Sequence, residues 1–230
     1  MTSVLEPVAA RYLARVRPQI PPEPDGIVRA MPIVLRLERP PAERTPVLEA
    51  AAAAALAVCL DPRSEPGGEW HEPVTTWVES RIRKIARRAR GAHWAAVEQL
   101  PGVTWTVGDA QARALLPGPV DDVAREVARL QIGGTDLALD DPGPPAPGAP
   151  VIWVNAALKM TVGKAAAQVG HASMLYAAAR GLTEVPPFAV RDAEPDHWAY
   201  LLEQESSVCV RDAGFTEVAP GTVTCLAVDP

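Results

Sequence analysis

The chain has 230 residues, of which 48% are hydrophobic, and a formal net charge of −6. This size and composition indicate one large or two small domains with ample material for a core. They argue against a membrane-spanning protein, because the longest apolar run, "AAAAALAVCL" (51–60), is too short and too rich in alanine to cross a bilayer.

The first half of the chain alternates predicted helices and strands. Residues 1–27 are expected to form a flexible lead-in with a short helix. In chain order we then predict a strand at 31–38, a helix at 45–59 with Thr45 as its N-cap, a strand at 79–90, a helix at "AHWAAVEQL", a strand at "GVTWTV" and a helix at 121–130.

Proline and glycine are dense in "LALDDPGPPAPGAP" (137–150), which favours an extended, solvated linker. The predicted domains are therefore 28–136 and 150–230, joined by a linker at 137–149. Residues 150–230 carry 5 basic and 9 acidic side chains, so a nucleic-acid surface built from that part alone is not expected.

The second half repeats the alternation. We predict a strand at 151–155, a helix from Gly163 closed by Gly181, a strand at 187–193, a helix at 194–204, and strands at 206–214 and 221–228. The predicted fold class is α/β, with tandem small α/β sandwich domains, each a mixed four-stranded sheet with flanking helices.

An internal echo links the two halves. Without gaps and at an offset of 103, "TVGDAQARALLPGPV" (106–120) lies over "CVRDAGFTEVAPGTV" (209–223), with six identities that include Asp109 with Asp212 and Pro117 with Pro220. We interpret the halves as two diverged copies of one unit. Chance in a sequence rich in alanine, valine and proline is the alternative.

Three polar residues stand out on the predicted helix after Gly163. Lys164, Gln168 and His171 are spaced i, i+4, i+7, which places them on one stripe of an otherwise small and apolar helix. A solvated polar face would explain the same pattern. Gly163 lets the backbone approach a ligand at the helix start, where amide groups favour anions.

Other catalytic and metal motifs are missing from the sequence. The P-loop, the GxSxG elbow and the HxxxH pair do not occur, and Cys59, Cys209 and Cys225 form no CxxC motif. Neither a metal nor a cofactor is expected. The start of the chain lacks the apolar region of a signal peptide, so a soluble, cytoplasmic protein is expected.

Two motifs in order, "LKMTVGKAAAQVGHA" and "VRDAGFTEVAPGTVTCLAVDP", resemble the type 2 peptidyl-tRNA hydrolases, the archaeal and eukaryotic kind. That family has Met-Gly/Ser-Lys-Gly-Lys-x-Ala-Ala-Gln-x-x-His-Ala at the start of a helix. Near its C-terminus it has Asp-Ala-Gly-x-Thr, Pro-Gly-Thr/Ser and a final apolar strand. The resemblance covers residues 150–230, and Met160 matches the family methionine.

The resemblance implies hydrolysis of the ester between a peptide and the 3′ end of tRNA. Its motif positions make Lys164, Gln168, Asp212 and Thr222 catalytic, and they make Gly163, His171 and Thr216 substrate-binding. In this hypothesis Asp212 orients or deprotonates water, and Lys164 balances its charge and that of the oxyanion. The alternatives are a turn aspartate, a strand threonine and a packing histidine.

The sequence departs from the family at two positions: Val162 replaces the first lysine, and Phe215 replaces a residue that is commonly arginine or polar. Two other functions therefore stay open. One is a tRNA- or protein-binding module without turnover. The other is an aminoacyl-tRNA-dependent acyl transferase that passes the acyl group to an amine.

The N-terminal copy lacks Lys, Gln and His on its alanine-rich helix, so we expect it to be non-catalytic and to replace a second subunit, as an intrachain pseudo-dimer. A homodimer of the whole chain stays open. The basic stretch of the N-terminal copy, at 81–90, is predicted to bind the tRNA backbone. The alternative is that it forms a solvated edge strand. The residues named for tRNA contact are Arg81, Arg83, Lys84, Arg87 and Arg88.

Overall fold

A computed structural model describes residues 4–12, 23, 25–212 and 219–230. The N-terminal domain contains nine helices and strands among these residues, after the leading helix α1 (Glu6–Tyr12). In chain order they are β1 (Arg29–Arg36), α2 (Arg44–Leu60), α3 (His71–Val78), β2 (Lys84–Ala89), α4 (Gly91–Val97), β3 (Gly102–Val107), β4 (Ala110–Leu115), β5 (Gly118–Pro119) and α5 (Arg125–Ala128).

The C-terminal domain has the same order of elements without the extra pieces. Its elements are β6 (Val151–Asn155), α6 (Val162–Arg180), β7 (Ala189–Ala193), α7 (Pro195–Glu203), β8 (Val208–Arg211) and β9 (Val223–Val228).

The two sheets share one topology. Strand order is β2-β1-β4-β3 in the first and β7-β6-β9-β8 in the second. The first sheet has a fifth strand that was not predicted, since the two-residue β5 also pairs antiparallel with β1. In each sheet, the first strand pairs parallel with the second and antiparallel with the last. The fold class predicted from the sequence is confirmed, and the shared topology supports the inferred duplication.

The two sequence segments that suggested the duplication, 106–120 and 209–223, occupy only partly equivalent positions in the two domains. Asp109 lies in a two-residue turn between β3 and β4, with Gly108 at φ 58°, whereas Asp212 begins a longer connection between β8 and β9. Pro117 follows β4, but Pro220 precedes β9. The gapless alignment therefore fails beyond Asp109, because the N-terminal copy has a much shorter hairpin.

Three N-terminal elements were missed from the sequence: α3, β4 and the two-residue strand β5. Strand β4 has an alternating pattern of small and polar residues, "AQARAL", and its buried face consists of alanines rather than large apolar side chains. Helix α3 carries Pro73 in its first turn. The helix predicted at 121–130 is reduced to the single turn of α5.

Helices α2 and α6 pack against each other between the two sheets. The Cβ that Gly170 lacks would lie 3.1 Å from Cβ of Ala55, and the Ser173 hydroxyl donates to Ala52 O at 2.8 Å. Small side chains allow two backbones to approach this closely. The alanine-rich helices are therefore the interface between the domains, and one core extends through both.

The segment predicted as a linker is anchored to both domains. Thr45, expected as an N-cap, lies inside α2, and its amide and hydroxyl donate to the carboxylate of Asp140. Arg191 of β7 donates to Gly143 O at 2.9 Å. Helix α1 is also docked, since Leu5 and Val8 are buried in the shared core. No helix in the described ranges is long and apolar enough to cross a membrane.

Candidate active site

Helix α6 begins one residue earlier than predicted. The Thr161 hydroxyl caps it by accepting from the amide of Lys164 at 3.4 Å, and Gly181 ends it at φ 61°. Lys164, Gln168 and His171 follow along one side of the helix, as their spacing predicts. Their surroundings nevertheless differ.

Gln168 lies at the centre of a polar cluster. The side-chain amide is buried, and the Thr224 hydroxyl donates to its Oε1 at 2.7 Å. Its Nε2 faces Oδ2 of Asp212 at 3.5 Å. A carboxylate only accepts hydrogen bonds, so the amide nitrogen must face Asp212 and the oxygen must face Thr224.

Asp212 and Thr222 are held together at the base of one loop. The Asp212 amide donates to Thr222 O at 2.9 Å, and Gly221 donates back to Asp212 O at 2.8 Å. The Asp212 side chain is only 7% exposed. The Thr222 hydroxyl donates to Ala219 O at 2.7 Å, which leaves its oxygen able to accept.

Lys164 is half-buried and lies one helical turn before Gln168. Residues at i and i+4 share a helix face, so Lys164 lies on the side of α6 that faces the Asp212 loop. Both Lys164 and Asp212 have interactions besides those described above. The structure thus brings Gln168, Asp212, Thr222 and Thr224 together, with Lys164 one turn away.

His171 lies instead at the interface between the domains. Its Nδ1 is 3.1 Å from Nζ of Lys84, which comes from β2 of the other domain and lies 5.1 Å from the centre of the Trp77 ring. Burial, followed by the charge of Lys84, holds the pKa of His171 well below 6.5. Burial lowers the pKa of the Lys84 amine to about 7.

Gly163 is close-packed because it contacts Thr135 of the same chain. Its amide donates to Oγ1 of Thr135 at 3.1 Å, and the amide of Val162 donates to Thr135 O at 3.2 Å. A Cβ on Gly163 would lie 2.9 Å from Thr135 Oγ1. The amides expected to bind an anion are therefore already bonded to the N-terminal domain.

The basic stretch at 81–90, predicted as part of a strand at 79–90, is a strand only over β2 (Lys84–Ala89), and it makes several intrachain contacts. Arg83 forms an ion pair with Glu23, and Arg87 donates to Leu130 O at 2.9 Å. Arg88 donates to Gly133 O at 3.0 Å and to the side chain of Gln131. Arg81 is half-buried and also has an interaction partner. These contacts, like that of Lys84, hold the strand's cations against the protein.

A cleft of about 270 Å³ opens beside the start of α6. Asn155, at the end of β6, lines it and donates to Val223 O at 3.5 Å, between Thr222 and Thr224. Both domains contribute lining residues, among them Arg44, Leu137, Leu139, Val154, Met160 and Asp192.

Three residues of this region were not singled out from the sequence. Thr224, Thr135 and Asn155 are ordinary strand or loop residues by type, and only Thr224 had a signal, its position two residues after Thr222. Thr216 and Phe215 lie outside the described residues. Within the described ranges no group of three His, Cys, Asp or Glu side chains could hold a metal.

Comparison with known proteins gives archaeal relatives. A protein named peptidyl-tRNA hydrolase from Thermococcus sibiricus is 34% identical over 97 residues, which cover 35% of this chain and 81% of the relative. One of the same name from Methanopyrus kandleri is 39% identical over 95 residues, covering 35% of this chain and 82% of the relative. No protein-family model and no solved structure matches.

Proposed function

Because this chain belongs to the type 2 peptidyl-tRNA hydrolase family, we propose that it hydrolyses the ester between a peptide and the 3′ ribose of tRNA. The observation that carries the proposal is the hydrogen-bonded arrangement of Asp212, Gln168 and Thr224 beside Lys164. An aminoacyl ester is activated enough that positioned water and charge stabilisation suffice for its cleavage.

Asp212 is the proposed base or orienting group for the attacking water. Its carboxylate accepts a hydrogen bond from Gln168, and a carboxylate can accept several, so in this proposal it also accepts one from the attacking water. Lys164 supplies the positive charge that stabilises the oxyanion formed when water adds to the ester carbon.

Gln168 and Thr222 have supporting roles in this proposal. Gln168 holds the carboxylate of Asp212 in one orientation, and its own amide is fixed by Thr224. The oxygen of Thr222 can accept a hydrogen bond from substrate or water. Thr216 keeps the substrate-binding role implied by its motif. The contact of His171 with Lys84 favours a role in domain packing over substrate contact.

The tRNA backbone is proposed to run along the basic strand of the N-terminal domain. The C-terminal domain is acidic, so cations must come from elsewhere. Arg81, Arg83, Arg87 and Arg88 remain the proposed contacts, and those with exposed ends, such as Arg88, can exchange an internal partner for phosphate. Lys84 is less suited, since its amine is enclosed beside His171.

The packing of α2 on α6 supports a pseudo-dimer within one chain, in which the N-terminal domain replaces a second subunit. The N-terminal domain has no counterpart of the Asp212 loop, so we propose that catalysis belongs to the C-terminal domain alone. The proposed substrate, peptidyl-tRNA, arises in translation, and we propose that the protein acts in the cytoplasm.

The deciding experiment is release of N-acetyl-aminoacyl groups from tRNA by the purified protein. Asp212→Asn and Lys164→Ala should each reduce kcat by about 100-fold, while Asp196→Asn, on exposed α7, serves as the matched control. Unchanged turnover in both site variants would refute these roles. A product that requires an added amine would instead identify an acyl transferase, and tRNA binding without turnover would identify a binding module.

A further inference from the structure

We propose that the cleft beside the start of α6 binds the apolar side chains of the peptidyl group, at the second and third residues from the ester. The inference rests on the proposed hydrolase function. It assigns a specificity role to the segment that joins the two domains (137–149), which supplies one wall of the cleft through Leu137 and Leu139.

The position of the cleft relative to the proposed catalytic residues defines which part of the substrate can reach it. The cleft is lined by Asn155 of β6 and Asp192 of β7, and Asp212 directly follows β8. The strand order is β7-β6-β9-β8, so β6 lies two strands from β8. Two inter-strand spacings are about 10 Å, which an extended peptide spans in about three residues.

The floor of the cleft does not favour a phosphate group. Arg44 is buried, and its guanidinium is paired with both oxygens of Asp192. The helix amides of Val162 and Gly163 are occupied by Thr135. Two further charged side chains line the cleft, Lys159 and Asp136, and their formal charges cancel. With Arg44 paired to Asp192 and these donors already bonded, the cleft carries no net positive charge to hold the tRNA backbone.

Apolar residues make up half of the cleft lining. Leu137 belongs to the segment that joins the two domains, and Val154, Met160 and Val162 belong to the C-terminal domain. Leu139 at the rim is 72% exposed, the largest exposed fraction among the big apolar side chains of the described residues. Covering such an exposed apolar side chain with an apolar ligand lowers the free energy of the complex. A volume of about 270 Å³ fits side chains of one or two residues.

The test uses three esters on one tRNA sequence: N-acetyl-Leu-Leu-Ala, N-acetyl-Gly-Gly-Ala and N-acetyl-Ala. All three present the same alanine at the scissile bond. We expect kcat/KM to favour the Leu-Leu ester over the Gly-Gly ester by about tenfold. The difference should lie in KM, because the proposed side-chain contacts are made equally in the ground state and the transition state.

Leu139→Ser should reduce that preference at least about threefold, by lowering kcat/KM for the Leu-Leu ester. Since Leu139 is exposed, the substitution should not disturb folding. Leu202→Ser, an exposed leucine on α7, is the matched control. Leu137→Ser provides a second variant in the same wall.

Equal rates for the two tripeptidyl esters would overturn the cleft assignment and leave the hydrolase function intact. So would a Leu-Leu preference that survives both Leu139→Ser and Leu137→Ser. Failure to hydrolyse any of the three esters would overturn the proposed function, and the assignment with it.

Discussion

Nζ of Lys84, on β2 of the N-terminal domain, lies 3.1 Å from Nδ1 of His171, on α6 of the C-terminal domain. One residue was expected to contact tRNA and the other the substrate. They meet because α6 packs along α2 and reaches the edge strand β2, where Gly170 leaves space for the stem of Lys84 at 3.1 Å. The groups facing this pair are Trp77 and the buried thiols of Cys59 and Cys225.

Stability should rise with pH between about 7 and 8.5 because of Lys84. Its pKa is about 7 in the folded protein, against 10.5 for an ordinary lysine, so the unfolded chain binds more protons in this interval. Folding therefore becomes more favourable as pH increases. Urea unfolding at pH 7.0, 7.75 and 8.5 should show this slope in the wild type and a flatter one in Lys84→Met, which preserves the packing of the stem.

The predicted rise in stability is tested only up to about pH 8.5, because above that pH the buried cysteines lower the stability as pH increases. Burial raises the pKa of Cys59 to about 12, so above its ordinary value of 9 the unfolded state loses protons first. An equal slope in wild type and Lys84→Met would show that the amine titrates normally. Arg129→Met, at an exposed arginine, controls for loss of one charge.

His171 should make the protein less stable as pH falls below 6.5. Its folded pKa lies well below 6.5, so at pH 5 to 6 the unfolded chain takes up a proton that the folded chain excludes. His171→Gln should reduce the loss of unfolding free energy between pH 6.5 and 5. His93→Gln, at an exposed histidine, should not. Parallel pH profiles for wild type and His171→Gln would contradict the buried neutral ring.

Thr224→Val should lower kcat by about tenfold with little change in KM. The buried Oε1 of Gln168 would lose its donor, a cost of about 1–3 kcal/mol, and the amide could rotate away from Asp212. Thr224→Ser retains the hydroxyl and should restore kcat. Thr183→Val, at an exposed loop position, is the control. Full activity of Thr224→Val would mean that Asp212 does not depend on the orientation of Gln168.

Gly163→Ala should destabilise the protein by about 1–3 kcal/mol because the new methyl group would crowd Thr135 Oγ1 at 2.9 Å. In a Thr135→Ala background the same substitution should cost less. A double-mutant cycle of urea-unfolding free energies measures this coupling. Gly118→Ala, with open space at its Cβ, is the control. Additive costs would show that Thr135 does not explain the glycine.

The amino-acid pattern alone predicted the tandem α/β fold and the helix that bears Lys164, Gln168 and His171. Its two motifs also indicated the hydrolase family. These are local properties: periodicity places residues on one helix face, and turn residues mark boundaries. Strand β4 escaped notice because its buried face is alanine, whose small side chains become effective core only when α2 covers them.

Tertiary packing decided which polar residues act together. Gln168 and His171 lie on the same side of α6, yet one meets Asp212 from 44 residues away and the other meets Lys84 from another domain. Helical spacing determines the direction of a side chain but not what lies opposite. That depends on how two alanine-rich helices approach each other, through contacts made by residues distant in sequence.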